Sequence, residues 1–189
     1  MDSVLMVSRS EKAQQTMRNL LQGLGMQDIV VASSGSEARQ KLGQYEYELV
    51  LIHAPLPDEF GHEIAIMAAE SSLAGVIMVV KHELEDDVSA RVEDYGILTI
   101  GLPTQRPAFY QCVKLITTTR NRMLGLRREN VQLQKKIEEI RLVDRAKCAL
   151  IQYLNLTEQQ AHRYIEKQAM DLRLTKRQIA ESILRTYES

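Results

Sequence analysis

Cysteine is scarce in this chain of 189 residues, which holds two, and proline is nearly so, with four. Cys112 and Cys148 lie far apart, show no metal-ligand spacing and sit inside helical patterns. That excludes a disulfide framework and a cysteine metal site, and both read as reduced packing residues. No apolar run approaches the roughly 18 residues that a membrane span requires. The opening MDSVLMVSRSEK is charged too soon for a signal peptide, so a cytoplasmic protein without membrane contact is expected. After Pro107 there is no further proline and only Gly125 among the glycines, so nothing punctuates a long helical stretch.

What is present is globular in composition, 44% apolar and 26% charged. The net charge of −1 hides an asymmetry. Residues 1–119 carry 9 Lys+Arg against 16 Asp+Glu, a net of −7, and residues 120–189 carry the remaining 15 against 9, a net of +6. An acidic half joined to a basic half points to a polyanionic partner for the second.

Val4–Val7, Asp28–Ser33, Glu48–His53, Gly75–Val80 and Gly96–Ile100 are apolar or β-branched runs of strand length separated by helical patterns. The first such helix places Ala13, Met17, Leu20, Leu21 and Leu24 on one face. Continuous apolar strands require burial on both faces, which in a βα repeat means a parallel sheet covered by helices. The expected fold is therefore α/β: a flavodoxin-like, doubly wound, five-stranded parallel sheet, with ligands at the carboxyl ends of its strands.

The stretch LVLIHAPLPDEFG, from Leu49 to Gly61, ends a strand on His53 and continues through Leu56, Pro57, Asp58 and Gly61. There the chain resembles the response-regulator receiver family over residues 1 to 118. The resemblance implies a phosphoacceptor aspartate where His53 stands and a metal-binding acidic pair where Ser8 and Arg9 stand. It also implies a hydroxyl residue at Val80 and a lysine at Leu102, with Pro103 in a cis-proline turn. These departures remove the metal ligands, the nucleophile and both phosphoryl-stabilising groups, and so imply a pseudo-receiver with no phosphoacceptor, metal or cofactor. His53 is then expected to be a hydrogen-bonded, partly buried histidine. His62 and His82 read as solvated, and Glu83, Glu85, Asp86 and Asp87 as the acidic first turn of a helix.

A heptad begun at Ile116 puts Met123, Asn130 and Ile137 at a positions and Thr119, Leu126, Leu133 and Ile140 at d positions. With Ile116 that makes six apolar residues in eight, the pattern of a coiled-coil dimer seam. The flanking pairs Arg122 with Arg127, Glu129 with Gln134 and Lys136 with Arg141 attract in no case, so strand orientation stays open.

Beyond the seam, Thr157 with Gln160 and Thr175 with Gln178 form capping-box patterns that start two helices, the second stapled by Leu174 and Ile179. Together with the end of the long helix they make a small three-helix module. Its expected core faces are Val143/Ala146/Leu150/Leu154, Ala161/Tyr164/Ile165/Ala169 and Ile179/Ala180/Ile183/Leu184. The order Asp144, Arg145, Ala146, Lys147, Leu150, Ile151, Ala161, Ala169, Met170, Ile179, Ala180 resembles the ANTAR family of RNA-binding antiterminators. Cys148 departs from it, since the family usually has glycine there.

The expected organisation is a pseudo-receiver over 1–118, a dimerising helix over 119–142 and an ANTAR module over 143–189. The ANTAR resemblance implies binding of a homodimer to hairpins in a leader transcript. Arg145, Ala146, Lys147, Arg163, Lys167, Arg173, Lys176 and Arg177 are the expected RNA contacts, and a regulatory protein partner is the expected input. A DNA-binding regulator and a dimeric adaptor are the alternatives. An enzyme is not expected, because no nucleophile–base pair or carboxylate dyad is present.

Overall fold

Alternating apolar strands and amphipathic helices fold as that pattern dictates, in a computed structural model that describes residues 3–187. Five parallel strands, β1 (Ser3–Val7), β2 (Asp28–Ala32), β3 (Leu49–His53), β4 (Gly75–Lys81) and β5 (Leu98–Leu102), lie in the order β2-β1-β3-β4-β5. The helices are α1 (Glu11–Gln22), α2 (Gly35–Gln44), α3 (His62–Ser71), α4 (Glu85–Val92), α5 (Arg106–Leu154), α6 (Glu158–Leu172) and α7 (Lys176–Tyr187). The flavodoxin-like fold class expected from the sequence is the one observed.

Side chains alternate across each strand, so each face of the sheet builds its own core. Leu5, Val7, Val50, Ile52, Met78 and Val80 pack with Ala38 of α2, Ile64 and Ala68 of α3 and Val88 and Val92 of α4. Val4, Met6, Leu49, Leu51, Ile77 and Val79 pack with Met17 and Leu21 of α1 and with Phe109, Val113 and Ile116 of α5.

Two expected features shift. β5 begins at Leu98 rather than Gly96, because Gly96 adopts a left-handed φ of 71° and closes the short 3-10 turn Glu93–Tyr95. Ile116 is buried, 8% exposed, and so does not belong to an open heptad seam. A β-carbon on Gly75 would come within 2.8 Å of Ile116 Cγ1, and the missing side chain is what admits Ile116 to the sheet.

The chain divides into two compact units, Met1–Gly125 and Leu126–Ser189, with α5 supplying residues 106–125 to the first and 126–154 to the second. In the second unit Ala146, Ala149, Leu150, Ala161, Ile165, Ile179, Ala180, Ile183 and Leu184 form the core. Both capping boxes are made: Thr157 Oγ1 accepts from Gln160 N–H at 3.3 Å and Thr175 Oγ1 from Gln178 N–H at 3.2 Å, while each glutamine Oε1 accepts from the threonine N–H, at 2.8 and 2.9 Å. Leu154 and Tyr164, expected inside, are 44 and 41% exposed, and Leu174, the expected staple of α7, is 43% exposed. The buried ridge of α6 runs Ala161, Ile165, Ala169 at intervals of four, which turns Tyr164 to its edge.

Asp58, in the loop after β3, closes the N-terminus of α2. Its carboxylate accepts N–H bonds from Gly35 (2.8 Å) and Ser36 (2.9 Å) and the Ser36 hydroxyl (3.1 Å). These bonds, with the two backbone donors foremost, bring its pKa down to about 2. A carboxyl so depressed stabilises the fold above the ordinary aspartate range and ceases to do so as the pH falls through it. Asp58→Asn should therefore melt at a lower temperature than the parent at neutral pH, and the gap should close as the pH is lowered from 3.8 towards about 2, as followed by circular dichroism.

Candidate nucleic-acid interface

The expected phosphoacceptor position, His53, lies at the carboxyl end of β3, half-buried. Its Nδ1 lies 3.2 Å from Ser8 Oγ, and Ser8 is fully buried directly after β1. Burial first, and then the charge of Arg9, lowers the His53 pKa, which keeps the imidazole neutral at neutral pH. Val80 is buried in the apolar core, and Leu102 precedes Pro103 through a cis bond. Among the described residues no group of three His, Cys, Asp or Glu could hold a metal ion. Glu85, Asp86 and Asp87 form the acidic first turn of α4. His62 Nδ1 is buried without a hydrogen-bond partner, which departs from the solvated reading of that residue.

The cations of the second unit fall into two groups. Lys147 of α5 is only 16% exposed and its Nζ bridges Asp144 (2.8 Å) and Glu158 (3.1 Å), which raise its pKa, the Asp144 bond foremost. Lys176 pairs with Glu166 at 2.7 Å and Arg177 with Glu181 at 3.0 Å. Arg163, Lys167 and Arg173 are exposed and take no carboxylate partner among the described residues. Arg163 and Lys167 are one turn apart on one face of α6, with Met170, 79% exposed, next along it.

Arg145 is exposed and lines an open groove of about 480 Å³ with Arg141, Cys148, Gln152 and Tyr153. Tyr153 stacks on Tyr187 of α7, with ring centroids 5.3 Å apart. Cys148 is thus a groove residue and not a packing one, while Cys112 is partly buried. Ala146 is wholly buried in the three-helix core, which departs from its expected place among the RNA contacts. Tyr164, Met170 and Arg141 are exposed candidates that the sequence reading did not assign to RNA contact; Arg141 was legible as a cation one turn before Arg145.

Residues 131–184 match the ANTAR domain family. The chain carries an ANTAR domain behind a receiver-like fold. A transcriptional regulatory protein of Mycobacterium tuberculosis, PdtaR, is 25% identical over 171 residues, 90% of this chain and 83% of that protein. Among solved structures, a receiver domain protein from Methanospirillum hungatei superposes with a TM-score of 0.59 at 18% identity, over 65% of this chain and 98% of its own. The response regulator TrrA of Thermotoga maritima, solved with Mg²⁺ and BeF, gives 0.54 at 22%, over 61 and 99%. These two likenesses are of fold. No helix among the described residues is long and apolar enough to cross a membrane.

Within the ANTAR domain the Lys147 bridge joins α5 to the first turn of α6. Because Glu158 is 69% exposed, the pair is open to solvent at its glutamate end, contributes about 1 kcal/mol or less and is screened by salt. Glu158→Gln should lower the melting temperature slightly in dilute buffer and leave it equal to the parent's in about 1 M salt.

Proposed function

We propose that the protein is an RNA-binding antitermination regulator of the cytoplasm that acts as a dimer on hairpins of a leader transcript. The observation that carries this reading is the ANTAR match over residues 131–184, and the net charge of +6 over residues 120–189 supports it. Arg163, Lys167 and Arg173, with Arg141, are the first phosphate-contacting residues; Arg145, Lys147, Lys176 and Arg177 join them on exchanging an existing partner for a phosphate. Tyr153 and Tyr164 offer exposed rings on which unpaired loop bases stack.

Dimerisation is assigned to α5, where Met123, Leu126, Leu133, Ile137 and Ile140 are each half exposed or more. Side chains of this size at heptad spacing are in unfavourable contact with water until a second helix covers them. Asn130, exposed on the same stripe, would fix the register of such a pair. The receiver-like unit acts as a pseudo-receiver: His53, Ser8 and Arg9 replace the carboxylates that phosphoryl transfer and Mg²⁺ binding need. The signal then reaches it through a regulatory protein partner or another route that does not involve phosphorylation. A regulator of this kind catalyses no reaction.

Fluorescence anisotropy should show the protein binding a two-hairpin leader RNA well above an equal-length duplex DNA. Arg145→Ala with Lys147→Ala should weaken RNA binding about tenfold and make its logarithmic salt dependence shallower by about one unit or more. Leu133→Glu with Ile137→Glu should give a monomer by light scattering that loses the advantage of paired hairpins over one. Equal, weak binding of RNA and DNA would refute the reading. Incubation with labelled acetyl phosphate and Mg²⁺ should leave the protein unlabelled, and label on His53 would refute the pseudo-receiver assignment.

A further inference from the structure

A cavity of about 270 Å³ opens beside His53, among α1, the ends of β3, β4 and β5, and the start of α5. Its walls are mainly apolar, with Met17, Leu20, Leu102 and Phe109 the large side chains, and Lys12 and Thr16 stand on its lining. Lys12 and Thr16 are exposed, so the cavity is entered from solvent on the α1 side.

The hydrogen bonds around Ser8 settle what His53 offers there. Ser8 Oγ accepts the Ser10 N–H at 3.3 Å and is fully buried, so its own hydrogen needs an acceptor. His53 Nδ1, at 3.2 Å, is that acceptor. The neutral ring then carries its proton on Nε2, which no protein group among the described residues hydrogen-bonds. His53 lines the cavity, so in this tautomer the donor it can offer to a ligand in that mainly apolar setting is the ring N–H at Nε2. Lys12 is on its lining, and Arg9 is near enough for its charge to be felt at the ring.

We infer that this cavity binds a small apolar monocarboxylate, an aromatic or branched acid of about ten non-hydrogen atoms, whose carboxylate accepts from His53 Nε2 under the charges of Lys12 and Arg9. The volume equals about nine waters at roughly 30 Å³ each, which sets that size. A neutral hydrocarbon would leave the imidazole N–H unsatisfied, and inorganic phosphate would leave the apolar walls in contact with water. The sheet's carboxyl edge, where α/β folds of this kind take their ligands, thus keeps a binding role with a different chemistry. This inference concerns the first unit and does not rest on the RNA reading.

The test uses the full chain labelled with [¹³C-methyl]methionine, whose Met17 methyl, assigned through Met17→Leu, reports directly on the cavity. Benzoate should shift that signal saturably, whereas acetate and inorganic phosphate should not. Benzyl alcohol, of similar size but uncharged, should bind at least about tenfold more weakly, as should benzoate to His53→Leu. Thr16→Phe, at an exposed position of the lining, should abolish the benzoate shift, and it decides the matter alone if His53→Leu proves unfolded by circular dichroism. Absence of a saturable benzoate shift, equal binding of benzyl alcohol, or benzoate binding unchanged in Thr16→Phe would each overturn the inference.

Discussion

Strands buried on both faces cannot be left bare, and the helices that must cover them set everything else in this protein. β1, β3 and β4 are almost wholly buried from end to end. On one face the cover is completed by Phe109, Val113 and Ile116 of α5, each contributing roughly 1.5–3 kcal/mol by removal from water. Fixing these three fixes the rotation of the helix about its axis. Beyond them the apolar residues of the same helix, from Met123 to Ile140, face solvent. A single element passes from core duty to surface duty within two turns, and the change falls where the sheet ends and not where the heptad pattern says.

The carboxyl edge of the sheet keeps the layout of a receiver-like fold with other chemistry in it. A serine and a histidine meet where acidic groups would bind metal and phosphoryl in the family that this half resembles. Both are uncharged at neutral pH, and between them they use up the hydroxyl hydrogen, leaving a single ring N–H outward. Nearby, Asp58 ties the loop after β3 to the start of α2, so the first acidic side chain after His53 in sequence is occupied with a helix terminus.

Much of this was legible in the amino-acid order. Strand positions, sheet class, both capping boxes and the starts of α6 and α7 follow from periodicity and from Thr and Gln at fixed offsets. What was not legible depends on residues distant in sequence. Ile116 fits a heptad perfectly well; only Gly75, on a neighbouring strand, reveals that it belongs to the sheet. Lys147 looks like a phosphate contact until Glu158 is seen across the turn between two helices. Ala146 lies in the family pattern beside two cations yet packs inward, because its helix face is the one α6 and α7 cover. Tyr164 sits on the boundary of a stripe, where a phenol keeps its ring half covered and its hydroxyl wet, and a helical wheel does not resolve boundaries.

The turns of the three-helix unit hold two residues with left-handed backbones, Asn155 at φ 53° and Arg173 at φ 54°. Asparagine visits this region readily; arginine does so at a cost of roughly 1 kcal/mol that glycine would avoid. In return a cationic residue is planted at the negative end of the α6 dipole, on backbone whose N–H closes the helix by donating to the carbonyls of Ala169 and Met170. The Cα from which that side chain departs is consequently anchored, so an anion arriving there has less backbone freedom to quench than at a cation on an untethered loop.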